Sequence, residues 1–250
     1  MKRSEFTQIL TELLKPSAIK DFAPNGLQVE GSNVVNKVVT GVTASQALID
    51  EAILLGADTI LVHHGYFWKG EQQTITGMKK RRIASLLAHD INLFGYHLPL
   101  DIHPELGNNA QLAKLLDMEV EGGLESGPNS VAVRGRLQTP IMADEFAQKI
   151  AKVLKREPLV CAPRAKKIAT IAWCTGGGQG YIDLAAEQGI DAYLTGEASE
   201  QTIHSAREQN IDFFAAGHHA TERYGIKALG EYLGRQYGLD VTFVDIDNPV

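Results

Sequence analysis

Six of the eight histidines fall in three short segments, and each segment follows a predicted strand. The segments are His63-His64, His97 to His103, and His218-His219. Ligands of open α/β sheets bind at the carboxyl ends of the strands, so these histidines are expected at a functional edge. Imidazole is a common ligand of zinc and other divalent transition metals. The pattern therefore predicts a metal site.

The first segment is an adjacent pair, His63 and His64, after the apolar run ILV. A lone histidine in such a place is more often a core residue bonded to the backbone, but the pair favours metal ligation. Adjacent residues point in opposite directions while a strand continues. At a turn they diverge less, so that one histidine can serve each of two neighbouring metals.

The second segment contains Asp101, which follows Pro99 in a turn that leads toward a helix. Asp101 is equally consistent with a metal ligand and with a turn residue or helix cap. His97 and His103 are interpreted either as donors that orient a ligand carboxylate or as surface residues.

The third segment places His218 four residues before Glu222, so both share one face if a helix begins here. Imidazole and carboxylate are both common ligands of zinc. His219 lies three residues from Glu222 and is the rival ligand. In the alternative arrangement, Glu222 caps the helix start and the histidines are solvated.

The three segments supply five candidate nitrogen and oxygen ligands and no thiolate. This set of donors favours Zn, Mn, Fe, Co or Ni. Five are too many for one tetrahedral zinc. They suit two divalent ions about 3.5–4 Å apart, bridged by a carboxylate and by water. Such a centre lowers the pKa of water and makes a nucleophile near neutral pH, which predicts hydrolysis. The predicted ligands are His63, His64, Asp101, His218 and Glu222.

Alternating strands and helices must position these residues. Strands are predicted at 37–43, 59–62, 91–96, 131–137 and 168–174, and helices at 4–15, 45–55, 79–88 and 142–154. A strand, a helix and a second strand within about 30 residues indicate a parallel βαβ unit.

The second half repeats this plan. Seven residues of SQALIDEAILLGADTIL (Ser45–Leu61) recur in GQGYIDLAAEQGIDAYL (Gly178–Leu194) at a constant offset of 133 positions. We therefore expect two related α/β domains with mixed or parallel sheets flanked by helices, and a metal site at the domain interface. The expected domains are residues 1–123 and 124–250, with residues 121–130, rich in Gly and Ser, as the linker.

The repeat places Glu197 at the position that corresponds to His64. Glu197 and His97 are predicted to shuttle protons as catalytic residues, and His204 is a further candidate near the metals. The turn TGGGQG (Thr175–Gly180) is interpreted as a tight strand-to-helix turn in preference to a phosphate-binding loop. Tyr66, Phe67 and Trp68 are expected in packing or a subunit interface, or in a pocket wall that stacks a planar base.

Composition limits the remaining possibilities. The net charge is −6, which argues against broad binding to nucleic acid or an anionic membrane. Cys161 and Cys174 are expected to be reduced thiols. The N-terminus does not resemble a signal peptide, and no apolar run approaches the ~20 residues that span a bilayer. We therefore expect a cytoplasmic protein.

Seven segments together resemble the GTP cyclohydrolase 1 type 2 homologue family, also called the Ngg-interacting-factor-like family. They are PNGLQVEG, GVTAS, LVHHGYFWKG, GYHLPLDIHPELGNN, WCTGGGQG, TGEASEQTIHSAREQ and GHHATERYG. The resemblance covers nearly the whole chain and is closest to the short bacterial members that lack an inserted domain.

The resemblance implies two α/β domains, a ring-shaped homohexamer and a dinuclear metal site facing the inner cavity. It places the ligands on His63, His64, Asp101, His218 and Glu222, and so favours His218 over His219. The family name implies opening of the GTP purine ring by water. The expected function is a metal-dependent hydrolase acting on a nucleotide or related heterocycle; the alternative is a non-catalytic metal-binding or partner-binding scaffold.

Overall fold

The computed structural model describes residues 1–250, which form two compact units. The first unit contains residues 1–107 and 225–247, and the second contains residues 108–224 and 248–250. Each unit is built around its own β-sheet with helices packed against it. The predicted fold class, mixed α/β with two sheets flanked by helices, is confirmed.

The first unit holds a five-stranded sheet in the order β1-β4-β3-β2-β11. Strand β1 is antiparallel to β4, and the other neighbours are parallel. Its elements are α1 (Arg3–Leu14), β1 (Gly26–Val29), β2 (Lys37–Thr43), α2 (Gln46–Leu54), β3 (Thr59–His64), α3 (Gly77–Ala88), β4 (Asn92–Gly95), α4 (Leu98–Ile102) and β11 (Asp240–Phe243).

The second unit holds a six-stranded sheet in the order β5-β6-β8-β9-β10-β7, in which β8, β9 and β10 are parallel. Its elements are α5 (Asn108–Leu115), β5 (Met118–Gly123), β6 (Val133–Ile141), α6 (Ala143–Leu154), β7 (Leu159–Cys161), β8 (Ile168–Cys174), α7 (Ile182–Glu187), β9 (Ala192–Thr195), α8 (Glu200–Glu208) and β10 (Asp212–Ala215). Helix α9 (His218–Tyr237) begins in the second unit and ends in the first.

Local sequence explains how the first βαβ segment forms. The apolar strands β2 and β3 are buried, as expected for parallel strands covered on both faces. Ser45 caps α2, because its hydroxyl accepts the N–H of Leu48 at 3.3 Å. Gly56 follows the helix at φ +69°, a left-handed conformation that glycine adopts without steric cost. The chain therefore turns directly from α2 into β3.

The same local structure recurs in the second unit. Gly189 follows α7 at φ +70°, as Gly56 follows α2. Asp58 accepts backbone N–H groups from residues 36 and 37, and Asp191 accepts those of residues 169 and 170, at the same offset of 133. In each sheet three consecutive parallel strands are followed by an antiparallel edge strand, β1 beside β4 and β7 beside β10. This correspondence supports the predicted duplication.

The boundaries of the two units differ from the expected 1–123 and 124–250. Residues 121–130, expected as a linker, include the end of β5 and lead into β6, and these two strands pair with each other in the second sheet. The C-terminal strand β11 instead pairs with β2 of the first sheet through a parallel ladder. Strand pairing therefore overrides the Gly- and Ser-rich composition that suggested the linker. None of the helices is both long and apolar enough to span a bilayer.

Candidate metal centre

Both histidines of the first segment belong to β3. His63 is 1% exposed, and its Nδ1 lies 3.0 Å from the carbonyl oxygen of Tyr96. A carbonyl only accepts, so Nδ1 carries the proton and donates it. The Nε2 atom then bears the lone pair that a metal requires, and the backbone fixes the ring orientation.

Asp101 points toward that nitrogen. Its Oδ1 lies 3.5 Å from His63 Nε2, and the residue is 4% exposed on the short helix α4. Two ligands about 2.0–2.1 Å from one tetrahedral ion lie roughly 3.4 Å apart. The imidazole–carboxylate spacing therefore fits two ligands of one cation. Between the two interpretations left open by the sequence, the direction of the side chain favours ligation.

His64 lies beside His63 although β3 continues through both residues. The two ring centroids are 4.5 Å apart, and His64 Nδ1 lies 3.2 Å from Thr43 Oγ1. The ligand nitrogens of His63, His64 and His97 all lie within 4.8 Å of one another, so this group could hold a metal ion. The pair therefore does not diverge across the sheet as an ideal strand would require.

His97 is held by a residue that sequence reasoning missed. Its Nδ1 donates to Asp21 Oδ1 at 2.7 Å. The second carboxylate oxygen of Asp21 accepts from the backbone N–H of Leu98 and from the side-chain amide of Asn25. Burial alone would raise the pKa of Asp21, but the hydrogen bonds from His97 and Asn25 outweigh it and lower this pKa to about 2. The PNG turn beside it was visible in the sequence, but nothing linked Asp21 to a histidine 76 residues away.

The second unit presents an imidazole between two carboxylates. His218 Nδ1 lies 2.6 Å from Glu197 Oε1, and His218 Nε2 lies 3.1 Å from Glu222 Oε2. Burial alone would lower the pKa of His218, but the hydrogen bonds and charges of Glu222 and Glu197 raise it to about 9. Glu222 is 2% exposed. A proton on Nε2 satisfies this pair, and a divalent metal that replaces the proton would be bound by the same two atoms.

The glycine-rich turn after β8 packs against this pair. Gly176 has φ +66°, and a Cβ there would overlap the Glu222 carboxylate and lie 3.0 Å from His218 Nε2. Its N–H donates to Thr221 Oγ1 at 3.0 Å, and the N–H of Gly178 donates to Thr195 Oγ1 at 3.1 Å. Two of the N–H groups that a phosphate would use are therefore engaged by the protein. The turn allows the backbone to approach the ligand carboxylate.

Three histidines that the sequence analysis considered, His103, His219 and His204, are outside these groups. His103 Nδ1 accepts the amide groups of Glu105 and Leu106, which is a turn-stabilising role. His219 lies in the first turn of α9, and its N–H donates to the Val250 carbonyl at 2.9 Å. His204 lies on α8. None of the three belongs to a group of His, Cys, Asp or Glu side chains spaced to hold a metal ion.

The residues present fit divalent metal ions. All the donors are imidazole nitrogens or carboxylate oxygens, the carboxylates of Asp101 and Glu222 are buried, and each faces an imidazole Nε2. Borderline and hard divalent cations prefer this set of donors. Of the five predicted ligands, His63 lies beside Asp101 in the first unit and His218 lies beside Glu222 in the second.

Comparison with known proteins places the chain in a family. The sequence profile described as Duf34/NIF3 (NGG1p interacting factor 3) matches residues 1–249. The chain belongs to the DUF34/NIF3 family. A relative from Haemophilus influenzae, named GTP cyclohydrolase 1 type 2 homolog, is 63% identical over 250 residues, which is all of both chains. The resemblance inferred from the motifs is therefore confirmed.

Solved structures of DUF34/NIF3 proteins share the fold. One titled "Structural genomics, protein ybgI, unknown function" has 58% identity and a TM-score of 0.97, with complete coverage of both chains. TTHA1606 from Thermus thermophilus has 32% identity and a TM-score of 0.89, again with complete coverage. Family membership therefore establishes the fold of the chain, and the side chains of the candidate site determine its chemistry.

Proposed function

We propose that the protein binds two divalent metal ions and is a metal-dependent hydrolase that acts on a nucleotide or a related heterocycle. The observation that carries the proposal is the pair of buried carboxylates that face imidazole Nε2 atoms, Asp101 at His63 and Glu222 at His218. A buried ion pair contributes little to stability, since the loss of hydration offsets the attraction between the charges. The presence of these two buried pairs therefore favours a binding role.

In this proposal His63, His64 and Asp101 of the first unit and His218 and Glu222 of the second would be metal ligands. Five protein donors would not fill the coordination of two divalent ions. Open positions of this kind distinguish catalytic from structural metal sites. Two divalent ions held there would supply Lewis acidity and would lower the pKa of water toward neutral pH.

The surrounding residues have separate tasks. Asp21 fixes the proton of His97 on Nδ1, which leaves Nε2 to accept or return a proton during the reaction. Glu197 orients the imidazole of His218 through Nδ1, and the Tyr96 carbonyl orients His63 in the same way. Thus His97 is assigned to proton transfer and Glu197 to positioning.

The substrate class is supported by the names of the relatives. Proteins 58–63% identical over their whole length are named GTP cyclohydrolase 1 type 2 homolog, which suggests a nucleotide. Hydrolysis of a heterocycle needs an activated water beside an electrophilic carbon, and the proposed centre supplies that environment. We also propose a cytoplasmic ring-shaped homohexamer, as the resemblance implies; light scattering after size exclusion would give six chains per particle.

Metal analysis of the purified protein tests the binding claim. We expect about two ions of Zn, Mn, Fe, Co or Ni per chain, by inductively coupled plasma mass spectrometry. His63→Ala and Glu222→Gln should each reduce the bound metal, whereas His89→Ala, which alters an exposed histidine at the end of α3, should not. Equal metal content in all four proteins would refute the assignment of these ligands.

Turnover of a panel of nucleotides and heterocycles, with each metal in turn, tests the catalytic claim. The wild type should release product and Glu222→Gln should not. If the wild type binds two ions but converts no compound faster than Glu222→Gln does, the protein is instead a metal-binding scaffold.

A further inference from the structure

A cavity of about 500 Å³ opens beside the histidines of the first unit. It is formed by the segment that joins β3 to α3, residues 65–76, together with Lys79 at the start of α3. The side chains that line it are Phe67, Trp68, Lys69, Glu71, Gln73 and Lys79. The metal-ligand groups do not include any of them.

We propose that this cavity binds the planar ring of a nucleotide between Phe67 and Trp68 and holds its phosphate at Lys69. The inference rests on the proposed function only where it assigns this nucleotide as the substrate. Binding itself requires the cavity alone and can be tested without metal.

Phe67 is held in a conformation that a packing residue would avoid. Its φ is +65°, and it remains 38% exposed although it is a large apolar side chain. Bulky residues rarely occupy the left-handed region, and such strain concentrates at binding sites. Lys79 Nζ lies 5.0 Å from the ring centroid and covers part of one face. The ring is therefore fixed in place while part of its surface stays available for stacking.

Trp68 connects the cavity to the histidines. Its ring centroid is 4.8 Å from that of His97, at 78°, and 5.8 Å from that of His64. The indole N–H donates to the Gly65 carbonyl at 3.1 Å, which fixes the ring. Because the same side chain lines the cavity, one indole ring separates an occupant from the imidazoles. An aromatic occupant here would contact a side chain that itself contacts His64 and His97.

The charges of the cavity indicate an anionic group on that occupant. Lys79 is paired with Glu71 at 3.1 Å and donates to the Gln72 carbonyl at 2.8 Å. Lys69 has no such acidic partner, and its exposed side chain leaves one positive charge at the cavity. Exposed aromatic faces and a lysine are the usual means of holding a base and a phosphate. A neutral apolar occupant would leave this charge unused.

Calorimetric titration of metal-free, EDTA-treated protein with guanosine 5′-monophosphate, guanosine and ribose 5-phosphate tests the proposal. The monophosphate should bind most tightly, guanosine about fivefold more weakly, and ribose 5-phosphate negligibly. Lys69→Gln should weaken the monophosphate about fivefold and leave guanosine unchanged. The matched control Lys80→Gln, in an exposed residue of α3 that does not line the cavity, should alter neither titration.

Phe67→Gly separates binding from folding. Glycine relieves the left-handed conformation but removes a partly buried ring, so circular dichroism at the titration temperature establishes that the variant is folded before binding is measured. Loss of the stacking face should weaken both ligands about tenfold. Phe22→Ala, which removes an exposed aromatic ring outside the cavity, should leave binding unchanged.

Two results would overturn the proposal. One is the absence of monophosphate binding to the metal-free wild type; the other is wild-type affinity in Phe67→Gly. If the protein binds no metal but retains Phe67-dependent nucleotide binding, the proposed hydrolase fails and this inference stands. If metal binds as expected but the cavity titrations show no nucleotide binding, the proposed metal centre stands and this inference is refuted.

Discussion

Asp21 Oδ1 lies 2.7 Å from His97 Nδ1, across 76 positions of sequence. The same carboxylate accepts the Leu98 amide at 2.9 Å, so it fixes both the ring of His97 and the start of α4. Helix α4 in turn carries Asp101. One buried carboxylate therefore positions the proton carrier and the helix of a proposed metal ligand.

Asp21→Asn should destabilise the protein in a pH-dependent manner. The pKa of Asp21 falls from an ordinary 3.8 to about 2, so its charged form stabilises the folded state above pH 3.8. That stability is lost as the pH falls through about 2. We expect a loss of about 2 kcal/mol in the free energy of unfolding at pH 7, which shrinks between pH 4 and pH 2. Urea titrations across this range measure it.

Asp50→Asn is the control, since it removes an exposed carboxylate of α2. It should change the free energy of unfolding by less than about 0.5 kcal/mol at every pH. A deficit in Asp21→Asn that stays constant from pH 7 to pH 2 would show that the charge of Asp21 is not its source.

Gly176→Ala should damage the metal site beyond its effect on folding. A Cβ at this position meets both the left-handed conformation and the Glu222 carboxylate, whereas a Cβ at Gly189 meets the conformation alone. Gly189→Ala should therefore cost about 1 kcal/mol, and Gly176→Ala about 2–3 kcal/mol. Metal affinity should fall at least tenfold only in Gly176→Ala. Equal metal affinity in the two variants would show that the turn at Gly176 does not affect the metal site.

Glu197→Ala should weaken metal binding without removing a ligand. Glu197 contacts His218 only through Nδ1, so its loss frees the ring to rotate while Nε2 remains available to a metal. Removal of such an orienting carboxylate typically lowers metal affinity 10–100-fold. Glu200→Ala, at an exposed position in the first turn of α8, is the control. Competition with a chromogenic chelator measures both, and an unchanged dissociation constant in Glu197→Ala would remove its positioning role.

Sequence periodicity and capping predicted much of the scaffold. Strand β2 has the predicted bounds 37–43, and α2 lies within the predicted 45–55, because Ser45 and Gly56 mark its ends. The repeat at an offset of 133 was visible because Asp58 and Asp191 have the same structural task. Helix caps and turn glycines depend on residues close together in sequence, so they can be predicted from the sequence alone.

Long-range partners could not be predicted in the same way. Asp21 has no distinctive neighbours in sequence, and its role follows only from the antiparallel pairing of β1 with β4 and the loops around it. The expected boundary near residue 123 differs from that of the compact units, since turn-forming residues 124–130 join two paired strands of one sheet. A Gly- and Ser-rich composition indicates a bend in the chain and does not show which strands pair across it.

Arg164 offers a test of buried charge away from the metal ligands. Its guanidinium lies 3.3 Å from Asp212 and 2.5 Å from Asp191. Burial raises the pKa of Asp212, although Arg164 opposes the shift; the side chain of Asp212 is fully buried. Arg164→Gln removes that opposition and leaves a buried carboxylate without its cation. The free energy of unfolding should fall by about 3 kcal/mol at pH 7.

The pH dependence of that loss has a definite sign. A carboxyl group with a raised folded-state pKa stabilises the fold in its protonated form, and this stability is lost as the pH rises through the folded pKa. The deficit of Arg164→Gln should therefore be largest at pH 7 and smaller at pH 4. Arg235→Gln, which breaks an exposed pair with Glu231, should cost less than about 0.5 kcal/mol at both values. Urea unfolding of the three proteins at pH 4 and pH 7 decides it, and a deficit equal at both values would assign the loss to packing of the arginine stem.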